Sequence, residues 1–562
     1  MSLVKNVGDL NDLVEQMKGF YAILHAEFKE DERWYSLDKT LDIGLPDDYD
    51  DEKVMLPTAK SIVDTAVDHV SPQFRDIKVP RKSATPGSTK RAQSQKKFYG
   101  ASMTWLERQP SSSPYRAANK QLGTYGMSVT KTTYVKKWDV KKSEDKEGIN
   151  DEYMPFSHTV LHPSEVMPDP WHDKPEWVIQ VNSRMAGEME SVYPTYERPQ
   201  GMKFTDRVEV VEFWDKGERA VLIDQEEIIK VGTKHKLGDH PYIVGDSGMG
   251  FIDEQRKPEN RYMGFLRMLR GVLASESRNF SITDIVLIAS GWPIRTATGE
   301  GASALAGKRM EYGKVYEIPE GTTLDTLKPE LPPEMLQGHQ FNTSAIISEA
   351  SAPRPLAGLR NPGTTSGRDQ NIQLGQARLR YQGMAAASEM MLTELARKLG
   401  LYMQNAVKHP VNISLGTTEE EFGEVSPRIF TGSRPVSVKV NVLEPDNEFA
   451  KKQSVAQEVQ AGTIDQYDAI RELHPDKDPD EVLRRIRQDR LEKNPQVQQM
   501  LGTLGAQKIL KDNELSELYE AFMARMEAVQ TNTGQGRQVA NNDGGTEDAQ
   551  RRGEEGSEEN GG

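Results

Sequence analysis

Cysteine is absent from the 562 residues. This absence excludes disulfide bonds, thiolate metal ligands and a thiol nucleophile together. Long apolar runs are also lacking, since no stretch approaches the about 18–20 consecutive apolar residues that span a bilayer. The start of the chain, MSLVKNVGDLNDLVEQ, has no apolar secretory core, so we expect no export. Hydrophobic residues make up 36% and charged residues 28% of a chain long enough for several cores, which is typical of a folded, soluble, multi-domain subunit.

An excess of positive charge is lacking as well. Lysine and arginine number 71 against 86 acidic residues, which gives a net charge of −15. A protein that grips DNA through its phosphates normally carries surplus lysine and arginine. Tight nucleic-acid binding is therefore disfavoured, whereas loose passage of DNA is not, because a mostly negative wall repels phosphates.

The N-terminal part of the chain changes its hydrophobic period from helical to extended. Apolar residues recur at spacings of three and four in segments that we predict to be helices, at 1–30, 58–70, 90–108 and 114–125. From about Met127 the period changes to two, and we predict strands at 127–138, 176–185, 206–215 and 219–232. Their spacing favours antiparallel hairpins over βαβ crossovers.

The rest of the chain alternates long helices with irregular segments. Residues 258–289 are predicted to form one long helix that ends at Ser290-Gly291-Trp292-Pro293. The segments that follow are a compact insertion (291–332) with a strand candidate at 309–318, a shorter helix (334–350), a Pro- and Gly-rich loop (351–370), a long helix (371–407), a strand (434–444), helices (446–526) and a disordered acidic tail (527–562).

Three motifs invite an enzymatic interpretation. Gly245-Asp246-Ser247-Gly248 resembles the nucleophile stretch of trypsin-like proteases, but the required histidine context is missing, and a tight turn between the sheet and the long helix is the favoured interpretation. Residues 301–309 resemble a phosphate-binding loop but lack its first glycine and the hydroxyl after the lysine. The third is a closely spaced set of histidines and aspartates: His158, His162, Asp169, His172 and Asp173. A metal nuclease would need several of them to converge, whereas the prolines between them favour surface polar residues on an extended loop over a sheet.

The loop at 351–370 carries Arg354, Arg360 and Arg368, with no acidic residue before Asp369. One interpretation is a solvated surface loop. The other is an element that faces a polyanion and touches its phosphates transiently.

The order of these segments resembles the portal proteins of tailed bacteriophages. In that family a wing of helices and strands leads through a stem helix to a small clip, and a second stem helix, a channel loop, a long wing helix and a helical crown follow. Local stretches are similar too: 161–171 resembles a family wing motif, 348–359 resembles the entry to the tunnel loop, and 456–473 resembles the helix pair after the last wing strand. The resemblance runs in order from the first helix to the last one before the acidic tail, but each piece alone is weakly specific. Two glycines, Gly264 and Gly271, depart from a regular stem helix, and close packing between neighbouring subunits would explain them.

The resemblance implies an α+β subunit that closes into a dodecameric ring through heterologous contacts. It implies the following division: wing 1–255 with a β-rich module at 127–250, stem helix 256–290, clip 291–332, second stem helix 333–350, tunnel loop 351–370, wing return 371–445, crown 446–526 and tail 527–562. The implied channel-facing residues are Arg354, Leu356, Leu359, Arg360, Thr364 and Arg368. The implied docking residues of the clip are Arg295, Lys308, Arg309, Glu311, Tyr312 and Lys314.

The implied partners are further copies of the chain, double-stranded DNA passing without sequence specificity, the packaging terminase, the major capsid protein and a head-completion adaptor or tail protein. The implied location is one capsid vertex of the virion, with assembly in the host cytoplasm and no membrane. We expect no catalytic residue, cofactor or metal, because ATP hydrolysis would belong to the motor. Two alternatives stay open: another virion ring or adaptor, and a metal-dependent enzyme acting on DNA.

Overall fold

The computed structural model describes residues 3–71, 74–83, 85–135, 154–291, 294–300, 302–304, 318, 320–327, 338, 341, 344, 381–416, 423–432, 435–441, 448–473 and 482–487. The chain divides into two units, Met1–Asn447 and Glu448–Gly562. Helices and strands are both abundant in it, which is compatible with the predicted α+β class. The tail predicted at 527–562 lies outside the described residues, as do most of the segments predicted as the second stem helix and the crown.

The first four helices follow the predicted hydrophobic period closely. They are α1 (Val7–Ser36), α2 (Thr58–Val70), α3 (Pro86–Arg108) and α4 (Pro114–Tyr125). The Asn6 side chain caps α1 by accepting from the Asp9 backbone N–H, and Leu37 ends it in the left-handed region. Helix α3 begins one turn before its predicted start, because Pro86 occupies the first turn, where a missing N–H costs nothing.

Fourteen strands are described, and their bounds are β1 Phe74–Lys78, β2 Met127–Tyr134, β3 Phe156–Leu161, β4 Val166–Pro168, β5 Trp177–Met185, β6 Arg207–Asp215, β7 Glu218–Ile223, β8 Glu226–Lys234, β9 Tyr242–Asp246, β10 Ile294–Gly299, β11 Thr322–Leu327, β12 Val411–Asn412, β13 Glu424–Val425 and β14 Ser437–Asn441. A three-stranded sheet has the order β3-β2-β9 and a five-stranded sheet the order β4-β5-β6-β7-β8. All these neighbours are antiparallel, so the expectation of antiparallel pairing without βαβ crossovers is confirmed, although β2 and β9 are too far apart in sequence to form a hairpin.

The predicted strand at 219–232 is in fact two strands. Asp224 and Gln225 both have positive φ values, 46° and 70°, and turn the chain between β7 and β8. A turn of this kind usually contains glycine, so the sequence offers little sign of it. The Asp224 carboxylate stabilises the turn by accepting from the Glu209 backbone N–H at 2.9 Å.

The predicted helix at 258–289 is also divided. Further helices with described bounds are α5 (Ala186–Val192), α6 (Pro258–Arg261), α7 (Phe265–Gly291), α8 (Gln382–Asn405), α9 (Glu448–Gln460) and α10 (Gln466–Leu473). Gly264 lies in the break between α6 and α7, and a Cβ there would be 2.0 Å from the Thr124 carbonyl oxygen. Contact with α4 inside the same chain therefore explains Gly264, which precedes the helix α7 instead of lying within it as predicted. A Cβ on Gly271 would meet no atom within 4 Å in the structure.

Two large apolar cores hold the first unit together. One joins α2, α3, α4, α7 and α8, and the other packs α1 against the sheets. Strand β1 pairs with β14, far later in the chain, from Phe74↔Asn441 to Lys78↔Ser437. This pairing brings residues before α3 together with the segment after α8.

Candidate assembly site

The chain leaves the first core at α7 and returns to it at α8. Phe265, the first residue of α7, packs edge-on against Tyr381, which immediately precedes α8, with the ring centroids 5.8 Å apart. Tyr381 also stacks on His69 of α2, with centroids 6.0 Å apart and ring planes 9° apart. The two ends of the 265–381 segment, Phe265 and Tyr381, are therefore held at one buried place in the core.

An ionic cluster anchors the outgoing helix to α1. Arg270 of α7 bonds to the Asp31 carboxylate at 2.6 Å and to the Glu27 carboxylate at 2.6 Å, and it donates to the Glu27 carbonyl at 2.8 Å. Arg267, one turn earlier, lies 3.3 Å from Glu27 and 3.6 Å from Asp31. The Asp31 side chain is fully buried, and this burial raises its pKa to about 6 against the opposing charge of Arg270. The cluster fixes the direction of α7 relative to α1.

Two serines extend this anchorage along α7. Ser277 and Ser281 are buried, and their hydroxyls accept from the backbone N–H groups of Leu56 and Val54 at 3.4 Å and 3.0 Å. The segment before α2 therefore covers α7 as far as its middle.

The distal half of α7 has a different surface. Phe280, Leu287 and Ile288 are 46%, 64% and 48% exposed. Phe280 and Leu287 lie two turns apart on one helix face, and Ile288 adjoins it. Single exposed apolar residues need no explanation, whereas several on adjoining faces of one helix form an apolar patch.

A two-stranded hairpin follows α7. Strands β10 and β11 are antiparallel, with Ile294 opposite Leu327 and Gly299 opposite Thr322. Arg295 lies in β10 opposite Thr326. The other expected docking residues (Lys308, Arg309, Glu311, Tyr312 and Lys314) lie outside the described residues, as does most of the strand candidate at 309–318. All the expected channel residues of 351–370 lie outside them as well.

A second ionic cluster anchors the returning helix. Lys398 of α8 is fully buried, with its Nζ 3.4 Å from the Asp239 carboxylate and 3.6 Å from Glu394, and Arg397 bonds to both carboxylates. Burial acts to raise the pKa of Asp239, but Lys398, His240 and Arg397 outweigh it and hold that pKa well below its usual value. The helices α7 and α8, which lie at the two ends of the 265–381 segment, are thus held in the core by buried charges as well as by apolar packing.

These anchors were not predicted from the sequence, although a signal was present. Arg267 and Arg270 interrupt an otherwise apolar face at a spacing of three, and Glu27 and Asp31 have a spacing of four on α1. Residues at these spacings share one face of their helix, and the opposite charges of the two faces are the signal that could have indicated the contact.

The histidine and aspartate residues singled out in the sequence each have a local structural role. His158 is buried and shares a hydrogen bond with the Thr132 hydroxyl at 2.8 Å. His162 lies 2.6 Å from the Ser164 hydroxyl, and His172 lies 2.6 Å from Asp169. Asp173 pairs with an arginine of the loop before α6. Among the residues that the structure describes, no three histidine, aspartate or glutamate side chains are placed to hold a metal ion.

The Gly245–Gly248 motif forms the end of β9 and the turn after it. Ser247 is fully buried, and its hydroxyl donates to the Met263 carbonyl at 2.8 Å. Gly248 has a φ of 72°, which favours glycine. The motif therefore forms a turn between the sheet and the helices, as the turn interpretation predicted. Of the phosphate-loop-like stretch 301–309, only residues 302–304 are described, as a single 3-10 turn.

No protein-family model matches the chain, and no curated protein sequence matches it. In the part of the chain that the structure describes, no helix is both long enough and apolar enough to cross a membrane.

Proposed function

We propose that the chain is the portal subunit of a tailed double-stranded DNA bacteriophage. One observation carries the proposal: Phe265 and Tyr381 lie 5.8 Å apart, so the segment between them, which contains a long helix and a pair of antiparallel strands, starts and ends at the same buried place. A stem and clip inserted into a wing domain would have this connectivity. The exposed apolar residues of distal α7 support it further, since a ring of identical subunits would cover them.

In this proposal the ring has twelve copies and occupies one capsid vertex of the virion after assembly in the host cytoplasm. DNA passes through it in both directions, terminase and then an adaptor or tail protein dock on residues 291–332, and the capsid protein surrounds the wing. The subunit itself catalyses no reaction. Arg354, Arg360 and Arg368 would line the channel as sparse rings of positive charge, enough to guide DNA and too few to hold it.

Negative-stain electron microscopy of the purified protein tests the proposal. We expect closed rings with a central hole, and a native mass that is a multiple of the 63.1 kDa chain. A discrete monomer over a wide concentration range contradicts it. For the channel loop, replacing Arg354, Arg360 and Arg368 by alanine is expected to leave the rings intact and to impair DNA packaging or retention. Normal packaging by that variant contradicts the assignment of the loop.

A further inference from the structure

Positive charge is concentrated in one part of this acidic chain. Residues 77–138 contain thirteen lysine and arginine residues and a single acidic residue, Glu107, which gives a local net charge of +12. The whole chain has a net charge of −15, so the rest of it carries −27. Such asymmetry is typical of chains with a dedicated surface for a polyanion.

Some of these cations serve the fold. Lys131 pairs with Glu212 at 2.8 Å, Arg116 pairs with Asp68, and the Lys120 ammonium lies 4.3 Å from the ring centroid of Tyr35. These residues have partners inside the chain.

A second set is exposed at the start of α3. Arg81, Lys82, Lys90 and Arg91 are all exposed, and no acidic residue among the described residues forms an ion pair with them. The Ser88 hydroxyl accepts from the backbone N–H groups of Lys82 and Ser83 at 3.1 Å and 3.3 Å, which holds the segment before α3 against the first turn of the helix. These four cations therefore lie close together. We call them the basic patch.

The patch extends on two sides. Lys97 is exposed two turns after Lys90, which puts it on the same helix face about 10 Å along the axis. On the other side, Gln95 donates to the Ile429 carbonyl at 2.8 Å, and Lys82 Nζ lies 3.1 Å from the position that a Cβ on Gly432 would take. The turn at 427–432 thus adjoins the patch, and Arg428 on this turn is exposed.

The neighbouring side chains distinguish between possible polyanions. Between the cations lie serine, threonine and glutamine, which donate hydrogen bonds to phosphate oxygens. The aromatic residues that follow, Phe98 and Tyr99, are buried. Single-stranded nucleic acid is bound largely by stacking on exposed aromatic rings, and a membrane surface is bound with inserted apolar side chains. The segment 81–97 offers neither, so its chemistry fits the phosphate backbone of a duplex.

We propose that the basic patch binds the phosphate backbone of double-stranded nucleic acid without sequence specificity. This contact is separate from the loop at 351–370, and it does not require the chain to form a ring. It adds a holding surface for DNA to a molecule whose overall charge repels DNA.

The test is a fluorescence-anisotropy titration of the full-length protein with a labelled DNA duplex at several salt concentrations. The patch variant carries Arg81→Gln, Lys82→Gln, Lys90→Gln and Arg91→Gln. The matched control removes four other exposed cations on and beside the five-stranded sheet, with Arg207→Gln, Lys230→Gln, Lys234→Gln and Lys236→Gln. Thermal unfolding and electron microscopy of all three proteins establish that the fold and any assembly are unchanged.

Each phosphate contact contributes about −0.9 to the slope of log affinity against log salt concentration, so four contacts predict a roughly 100-fold weaker affinity at about 200 mM than at about 50 mM salt. We expect the wild-type protein and the control variant to show this slope, and the patch variant to lose most of it.

Equal slopes for the wild type and the patch variant overturn the proposal, and so does the absence of duplex binding by the wild type at low salt. Patch-dependent binding of polyglutamate or of vesicles rich in anionic lipid, without duplex binding, assigns the surface to another partner and overturns it too. Rings that form but bind no duplex contradict this inference while leaving the proposed function intact.

Discussion

The exposed apolar residues of distal α7 give the sharpest prediction about assembly. Phe280, Leu287 and Ile288 are 46%, 64% and 48% exposed. Their combined exposed surface is therefore about one and a half times that of one fully exposed side chain. Complete burial of one such side chain stabilises by about 1.5–3 kcal/mol, so covering all three in a subunit contact is worth roughly 2–5 kcal/mol. We therefore expect the variant with Phe280→Gln, Leu287→Gln and Ile288→Gln to associate between roughly 30-fold and 5,000-fold more weakly.

Glutamine is the appropriate replacement because it forms helices nearly as well as leucine does and leaves α7 itself intact. The control carries Leu3→Gln, Val192→Gln and Phe204→Gln, three side chains that are 54%, 55% and 58% exposed and lie away from α7 in sequence. Sedimentation velocity over a wide concentration range measures the association of the three proteins. Thermal unfolding under dilute conditions checks that the isolated subunits are equally stable.

We expect the α7 variant to remain dissociated at concentrations where the wild type and the control assemble. Assembly of the α7 variant at wild-type concentrations would refute the idea that this surface is covered by a neighbouring subunit. Equal loss of assembly in the control would show that the effect reflects exposed apolar area in general.

Three further predictions concern the fold. Arg270→Met leaves the buried Asp31 with a single cation nearby, so we expect denaturant unfolding to show a loss of about 3–5 kcal/mol of stability. Adding Asp31→Asn should restore part of this stability, because it removes the unpaired buried charge. No restoration would contradict a cause based on charge. Burial lowers the pKa of His158 from 6.5 to about 4. Between these pH values His158 binds a proton in the unfolded chain but not in the folded chain, so the stability of the fold decreases as the pH falls. His158→Gln should reduce this fall by up to about 3 kcal/mol in unfolding measured near neutral pH and at about pH 4, and an unchanged pH dependence would count against it. Gly264→Ala should destabilise the fold by about 1–3 kcal/mol, because the added Cβ would collide with the backbone of α4. Gly271→Ala should stabilise the isolated subunit by up to about 1 kcal/mol, because alanine favours the helix and its Cβ meets no other atom. Equal shifts in the thermal unfolding temperatures of the two variants would contradict the packing argument.

Local periodicity was sufficient to predict much of the secondary structure. Helices α2 and α4 have their predicted bounds, and β2, β5 and β6 lie within the predicted strands. Strands β3, β4 and β9 were missed, because β3 contains His158, β4 is very short and ends in Pro168, and β9 ends in the glycine-containing turn. Such residues weaken the strand signal, whereas pairing with a long neighbour such as β2 or β5 stabilises the strand.

Contacts between distant parts of the chain were harder to predict. The strand predicted at 434–444 is confirmed as β14, but its partner β1 is short and lies at the other end of the first unit's sequence. The break between α6 and α7 at Tyr262–Gly264 depends on the close approach of α4. No local sequence pattern predicts that approach. For the same reason, the arginine-bearing loop and the clip could be assigned only by their order along the chain, and these assignments stay predictions.

The distribution of charge changes the physical picture of how DNA would be handled. A uniformly acidic wall repels phosphates everywhere, and such a surface offers passage without attachment. In this chain the exposed cations of the basic patch lie on the first unit, held there by Ser88 and by the turn at 427–432. Electrostatic attraction between exposed charges is screened beyond about 10 Å at about 0.1 M salt, so a distant acidic surface does not cancel a local cluster of cations. Repulsion along one surface and attachment at another are therefore compatible within a single subunit, and the salt dependence of the patch variant and its control separates them.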